Sequence, residues 1–146
     1  MLKGIPSILS PELLKVLSEM GHGDEIVLAD ANFPSETIAS GTAYGRAVRA
    51  DGIGAVELLN AILPFFPLDQ YDPTHFILME LVPGDPCKTP IWEAYASEAA
   101  RFSEGTKIVH LERFAFYERA KTAYAIVATG EKAQYANIIL KKGVVI

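Results

Sequence analysis

The chain has 146 residues, half of them apolar, and a formal net charge of −5. That is enough for one domain with a real core, spanning 1–146, and leaves no room for a second. The acidic balance excludes a nucleic-acid footprint, which needs a Lys/Arg stripe, and no apolar run approaches a membrane span or a signal-peptide core, so a soluble, cytoplasmic protein is expected.

Ser10-Pro11-Glu12 reads as a helix start, with Ser10 as cap, Pro11 in the first turn and Glu12 complementing the dipole. Leu13, Leu14, Val16, Leu17 and Met20 follow at helical spacing, and Gly21 supplies the stop. His22 comes directly after it. Ile26-Val27-Leu28-Ala29 reads as a buried strand ending in Asp30. Ala31 to Gly45, rich in Asn, Pro, Ser, Thr and Gly, reads as a long surface loop of the kind that often carries function. Ala47-Val48-Arg49 is a short strand, and Asp51 is expected to cap a helix from Ile53 to Leu63 that Pro64 and Pro67 end.

Phe76 to Val82 is nearly continuous in apolar residues, as in a strand covered on both faces, which implies helices on each side. The single cysteine, Cys87, excludes an intrachain disulfide, and its Pro83-Gly84-Asp85-Pro86 setting reads as a loop bearing an inert thiol. Thr89-Pro90 opens a helix carrying Ile91, Trp92, Tyr95, Ala96 and Ala99. Lys107 to His110 is a strand. Glu112 to Ala120 reads as a helix packing Phe116 and Ala120 inward, and 123–128 and 137–140 are two more strands separated at Thr129-Gly130-Glu131. Lys141-Lys142, the longest basic run, reads as a solvated strand end. Helices alternating with short apolar strands give an α/β domain with a central sheet flanked by helices.

The three histidines, His22, His75 and His110, are far apart and form no metal motif, so no metal is expected. The glycines around His22 lack the phosphate-loop fingerprint; they allow a sharp turn and leave the imidazole unshielded. An imidazole titrating at about 6.5 can give and take a proton near neutrality, and Asp24 and the preceding helix end would raise that value. His22 is thus either a general acid meeting a ligand or a capping surface histidine. Asp30 is either the second member of such a site or the cap of the next loop. Arg113 and Tyr117, four apart on one helix face amid Phe114 and Phe116, could grip a polyol or be structural, whereas Glu118 and Arg119 read as ion-pair members. Tyr135-Ala136-Asn137 suits sugar hydroxyls or a turn equally. Trp92, Tyr95 and Tyr124 read as core or subunit interface, and His75 and His110 as strand-end residues, with His110 near enough to Arg113 to reach the same pocket.

Six segments carry a resemblance: Leu9-Ser10-Pro11-Glu12-Leu13-Leu14, Met20-Gly21-His22-Gly23-Asp24-Glu25, Ala29-Asp30-Ala31-Asn32-Phe33-Pro34, Arg49-Ala50-Asp51-Gly52, the run from Arg113 to Ala120, and Tyr135 to Leu140. Through them the chain resembles the L-fucose mutarotase and D-ribose pyranase (RbsD/FucU-like) family from first helix to last strand. The resemblance implies that His22 matches the proton-donor histidine, and that Asp30, Arg113 and Tyr135, Ala136, Asn137 match sugar-binding positions. It implies an isomerase that needs no cofactor and interconverts the α and β anomers of a free monosaccharide by ring opening and reclosure. Tyr117 is the candidate second proton-transfer group. It also implies a ring-shaped homo-oligomer, a decamer, with active sites near subunit contacts. The ribose branch tends to carry histidine where Arg113 stands and lacks the Arg-Phe-x-x-Tyr-Glu-Arg run, so L-fucose is favoured over ribose. Residues 35–46 depart from the relatives in length and composition, which leaves specificity at the pocket rim to that stretch. The rival readings are a non-catalytic sugar-binding accessory of an uptake system and a pyranase acting on D-ribose.

Overall fold

Alternation along the strands decides the architecture. In β1 (Glu25–Ala29), Ile26 and Leu28 point to one face of the sheet and Val27 and Ala29 to the other, and all four are buried. β3 (Phe76–Met79), β5 (Ala125–Thr129) and β6 (Ile138–Lys141) divide in the same way, so the sheet has to be covered on both sides. The computed structural model, which describes all 146 residues, shows that cover as a three-layer α/β arrangement. α1 (Pro11–Glu19), α3 (Ala55–Ile62) and α4 (Pro90–Phe102) pack on one face, and α2 (Ser35–Ala39) and α5 (Arg113–Lys121) on the other. With β2 (Ala47–Ala50) and β4 (Ile108–Leu111) as edges, the strand order is β2-β5-β1-β6-β3-β4. Only β6 runs antiparallel to its neighbours; the β1–β5, β2–β5 and β3–β4 pairs are parallel. The carboxyl ends of β1, β3, β4 and β5 and the amino end of β6 therefore share one edge.

Several local expectations change. The stretch 31–45 is not all loop: Ser35–Ala39 is one short helix, Glu36 in its first turn, that begins at Pro34 with no side-chain cap. Asp51 does not cap the next helix. It pairs with Arg49 at 2.5 Å, and α3 starts at Ala55, whose N–H donates to Glu131 Oε2 at 3.1 Å from 76 positions away. Lys141 and Lys142 are not a solvated pair. Lys141 binds Asp72 at 2.5 Å, and the Lys142 ammonium donates to the Leu17 and Met20 carbonyls at 2.8 and 2.6 Å, capping the end of α1. That cap, rather than a left-handed Gly21, ends the helix; the positive φ of the turn lies at Gly23 (φ 84°). Ser10 caps α1 as expected, accepting the Leu13 N–H at 3.1 Å. Arg119 lies against Glu25 through a forked ion pair at 2.5–3.1 Å, and Glu118 against Lys121 at 2.6 Å. His75 is buried and fully bonded, Nδ1 to the Asp72 carbonyl at 2.9 Å and Nε2 accepting the Lys107 N–H at 3.1 Å. No helix is long and apolar enough to cross a membrane.

Candidate functional site

Parallel strands place ligands outside their carboxyl ends, and a pocket of this chain lies there. Its volume is about 420 Å³, within the range of small-molecule sites. Asp30, at the end of β1, forms part of its lining. The residue is 6% exposed, its N–H donates to Asn137 Oδ1 at 2.8 Å, and its Oδ1 accepts the Asn32 N–H at 3.0 Å. Asp30 therefore caps its own loop and faces the pocket at once. Burial pushes its carboxyl above the ordinary value, against the pull of N–H groups from Asn32, Ala136 and Phe33 and of the Asn137 side chain.

Phe33 and Met79, both buried, give the pocket an apolar side. Phe33 meets the Phe116 ring edge-on at 6.3 Å and the Tyr117 ring at 5.5 Å, which ties the loop after β1 to α5. Glu112 caps α5 by accepting the Phe114 and Ala115 N–H groups, and so fixes Arg113 and Tyr117 on the pocket wall. The Arg113 guanidinium rests 5.7 Å from the centres of both the Phe114 and Tyr117 rings and forms no ion pair. The Tyr117 hydroxyl makes no hydrogen bond within the chain. Both groups are free to donate to a ligand.

Tyr135 reaches the pocket from a backbone in the left-handed region (φ 56°), a conformation that costs a non-glycine residue about 1–3 kcal/mol and persists only where its surroundings hold it. The Trp92 indole N–H donates to the Tyr135 carbonyl at 2.8 Å and the Tyr95 hydroxyl to the Ala136 carbonyl at 2.8 Å. Trp92 and Tyr95 are thus packing residues whose polar atoms set this bend. Ala136 itself is fully buried and does not line the pocket; its carbonyl serves Tyr95 and its N–H Asp30.

His22 is not at this pocket. It precedes β1, whose five residues at about 3.3 Å each put some 16 Å between it and Asp30, on the opposite edge of the sheet. Its turn is firmly held: Gly21 N–H donates to Asp24 Oδ2 at 2.7 Å, and Gly23 N–H to the Lys142 carbonyl at 2.7 Å. The imidazole is exposed and has no partner in the chain. His110 is also outside the pocket, stacked 4.6 Å from Trp92 on the edge strand β4. None of residues 35–46 lines the pocket, so the rim specificity expected of that stretch is not found within one chain.

Sequence reasoning missed Asn32, Phe33, Met79, Val82, Asp85 and Gln134 in the lining. Asp85 was visible only as the loop context of Cys87. Its position just past the carboxyl end of a buried strand was the available signal.

An edge-of-sheet pocket with one buried carboxylate, one unpaired guanidinium and an aromatic wall fits a small polyol. Residues 3–145 match the model of the RbsD / FucU transport protein family. The chain belongs to this family. Among its members, the fucose mutarotase of Danio rerio is 53% identical, with 99% of this chain and 94% of that one covered. The crystal structure of FucU from Bifidobacterium longum superposes with a TM-score of 0.93 at 56% identity, covering 99% of this chain and all of the other. The fucose mutarotase of Streptococcus pneumoniae, solved in complex with L-fucose, does so with a TM-score of 0.91 at 51% identity and the same coverage.

Proposed function

We propose that this protein is an L-fucose mutarotase, an isomerase that interconverts the α and β anomers of the free sugar. The observation that carries the reading is the pocket in which Asp30, Arg113, Tyr117, Tyr135 and Asn137 meet, in a chain about half identical, over nearly its full length, to a mutarotase solved with L-fucose. Arg113 and Asn137 hold hydroxyls, Asp30 accepts one or two more, and Ala136 acts indirectly by bonding Asp30. Phe33 and Met79 suit the methyl group of a 6-deoxyhexose, which a pentose such as ribose lacks.

Mutarotation requires that the anomeric hydroxyl lose a proton and the ring oxygen gain one, so that the C1–O5 bond opens and the aldehyde recloses on either face. The ring oxygen has no proton and can only accept. Tyr117, with its unbonded hydroxyl, is one donor within reach. His22 is the other, delivered by a second copy; its exposed imidazole on a rigid turn, on the edge remote from its own chain's pocket, supports this reading. The protein works as a ring-shaped homo-oligomer, a decamer, in the cytoplasm, and uses no cofactor.

Saturation-transfer NMR on an equilibrated mixture of fucose anomers tests this. Exchange accelerated by the protein is the expected result; binding of fucose with exchange unchanged would instead leave the reading of a sugar-binding accessory of an uptake system. A sugar panel in the same assay places ribose against fucose.

A further inference from the structure

Asp85 sits in the loop after β3 and lines the pocket, and its two oxygens are differently employed. Oδ1 accepts the Cys87 N–H at 2.9 Å, which locks the carboxylate into its own turn. Oδ2 accepts the Tyr135 hydroxyl at 2.5 Å. A phenol has one proton, and here it is committed to Asp85. Toward a ligand, Tyr135 can therefore only accept. Its remaining contact is a long one, the Val82 N–H at 3.3 Å. The left-handed backbone of Tyr135, pinned by Trp92 and followed by the carbonyl that Tyr95 holds, aims the phenol at Asp85 without freedom to turn away.

The pocket thus has two kinds of wall. α5 offers donors, the Arg113 guanidinium and the Tyr117 hydroxyl; the loop after β3, with Tyr135, offers an acceptor backed by a carboxylate. Asp30, whose Oδ1 accepts the Asn32 N–H and whose own N–H is held by Asn137, caps its loop and is left to hold sugar hydroxyls.

We propose that the Tyr135–Asp85 pair is the base of the mutarotation, Tyr135 taking the anomeric proton as it passes its own to Asp85. The proposal rests on the mutarotase reading above. In the opening step the anomeric O–H bond breaks and its proton goes to Tyr135 Oη, while the phenolic proton moves to Asp85 Oδ2. The O–H electron pair becomes the second bond of the C1 aldehyde, and the C1–O5 pair leaves with O5, which is protonated by the acid. Closure on either face of C1 runs each transfer backwards, so the protein returns to its starting protonation. The shared hydrogen bond holds the Asp85 carboxyl below its ordinary range and the Tyr135 phenol above its own. Asp85 is therefore ionised at neutrality, and no free tyrosinate is needed.

The test is fucose anomer exchange by saturation-transfer NMR on Asp85→Asn, Asp85→Glu and Tyr135→Phe. In Asp85→Asn an NH2 replaces one of the two accepting oxygens, so the side chain can no longer accept from both the Cys87 N–H and the Tyr135 hydroxyl, and in neither orientation can it take the phenolic proton. Asp85→Asn and Tyr135→Phe should each lose about 100-fold or more in exchange rate at saturating fucose, Asp85→Asn with fucose affinity within about 3-fold of the unaltered protein and Tyr135→Phe with affinity weaker by up to about 10-fold for the lost hydroxyl contact, and Asp85→Glu should recover part of the rate. An Asp85→Asn or Tyr135→Phe protein that exchanges anomers within about 3-fold of the unaltered one at saturating fucose, or an Asp85→Asn protein that loses fucose binding instead of rate, overturns the relay and leaves the mutarotase reading standing. An unaltered protein that fails to accelerate exchange overturns both.

Discussion

At the carboxyl end of β1 the polar side chains lean on one another: Asp30 is bonded to Asn32 and Asn137, and Tyr135 to Asp85. At the amino end the arrangement is reversed. There the backbone is tied down by Asp24 and Lys142 while the imidazole of the turn, His22, touches nothing. The first pattern is what a binding site needs, since side chains fixed in advance lose little freedom when a sugar arrives. The second is a rigid post presenting an unbonded imidazole outward. Both patterns occur in one chain on opposite edges of its sheet, which is the division that the proposed site shared between two copies requires.

The largest expected effect tests that division. His22→Ala should reduce anomer exchange by about 10²–10⁴-fold, the usual worth of a positioned acid, while fucose binding and thermal stability stay close to those of the unaltered protein. Saturation-transfer NMR with a thermal melt on the same sample reads all three. A sharper version mixes two defective proteins. His22→Ala keeps a sound pocket and Arg113→Ala a sound imidazole, so at fucose concentrations too low to fill the Arg113→Ala pocket mixed assemblies should exchange anomers faster than either parent. No regain after co-refolding would mean that His22 does not act across copies.

Next in size is Arg113→Ala by itself. The guanidinium has no carboxylate partner to leave stranded, so its removal costs only what it gives the ligand. A charge-assisted hydrogen bond of about 1.5–3 kcal/mol corresponds to roughly a 10–100-fold weaker fucose affinity by titration calorimetry. Equal affinity in the variant would move the sugar off the α5 wall.

The features that were legible in the sequence are those decided by neighbours along the chain. Ser10 caps α1 because its partner is three residues on, and Phe76 to Met79 is a strand because apolar residues run without a break. Arg113 and Tyr117 share a face because helices repeat every 3.6 residues. What escaped depends on distant partners. α3 is capped by Glu131 rather than Asp51, α1 is closed by Lys142, and Asp85 gains meaning only through Tyr135, 50 positions away. α2 escaped because its start carries no capping side chain. His22 and Asp30 shows the converse error: eight positions apart, they invite the idea that they converge, yet the intervening strand carries them to opposite edges.

The Arg119–Glu25 pair lets the amino end be disturbed without touching either chemistry. Both side chains are largely buried, Arg119 also reaches the Thr74 carbonyl at 3.2 Å, and the arrangement anchors α5 to the first residue of β1. Arg119→Ala should lower stability by about 1–2 kcal/mol, a Tm drop of several degrees, since it strands a partly buried carboxylate. Fucose affinity should hold. A variant that melts normally would mean the pair is solvated and α5 is held by Phe116 and Ala120 alone.

The smallest effect concerns what the buried carboxylate at the carboxyl end costs the fold. Burial raises the Asp30 carboxyl above its ordinary value, so the folded chain binds that proton more tightly than the unfolded chain does. With more protons bound in the folded state, stability falls as pH rises from the ordinary carboxylate value through the folded one, and this contribution is fully present only below that window. Asp30→Asn cannot titrate and should lack that fall. Measured by thermal melts across pH, the variant should gain on the unaltered protein as pH rises from about 3 to 7, while losing fucose binding. A constant difference between the two proteins at every pH would show that the N–H groups around Asp30 fully offset its burial, and that the end of β1 holding the sugar is no less at ease than the end bearing His22.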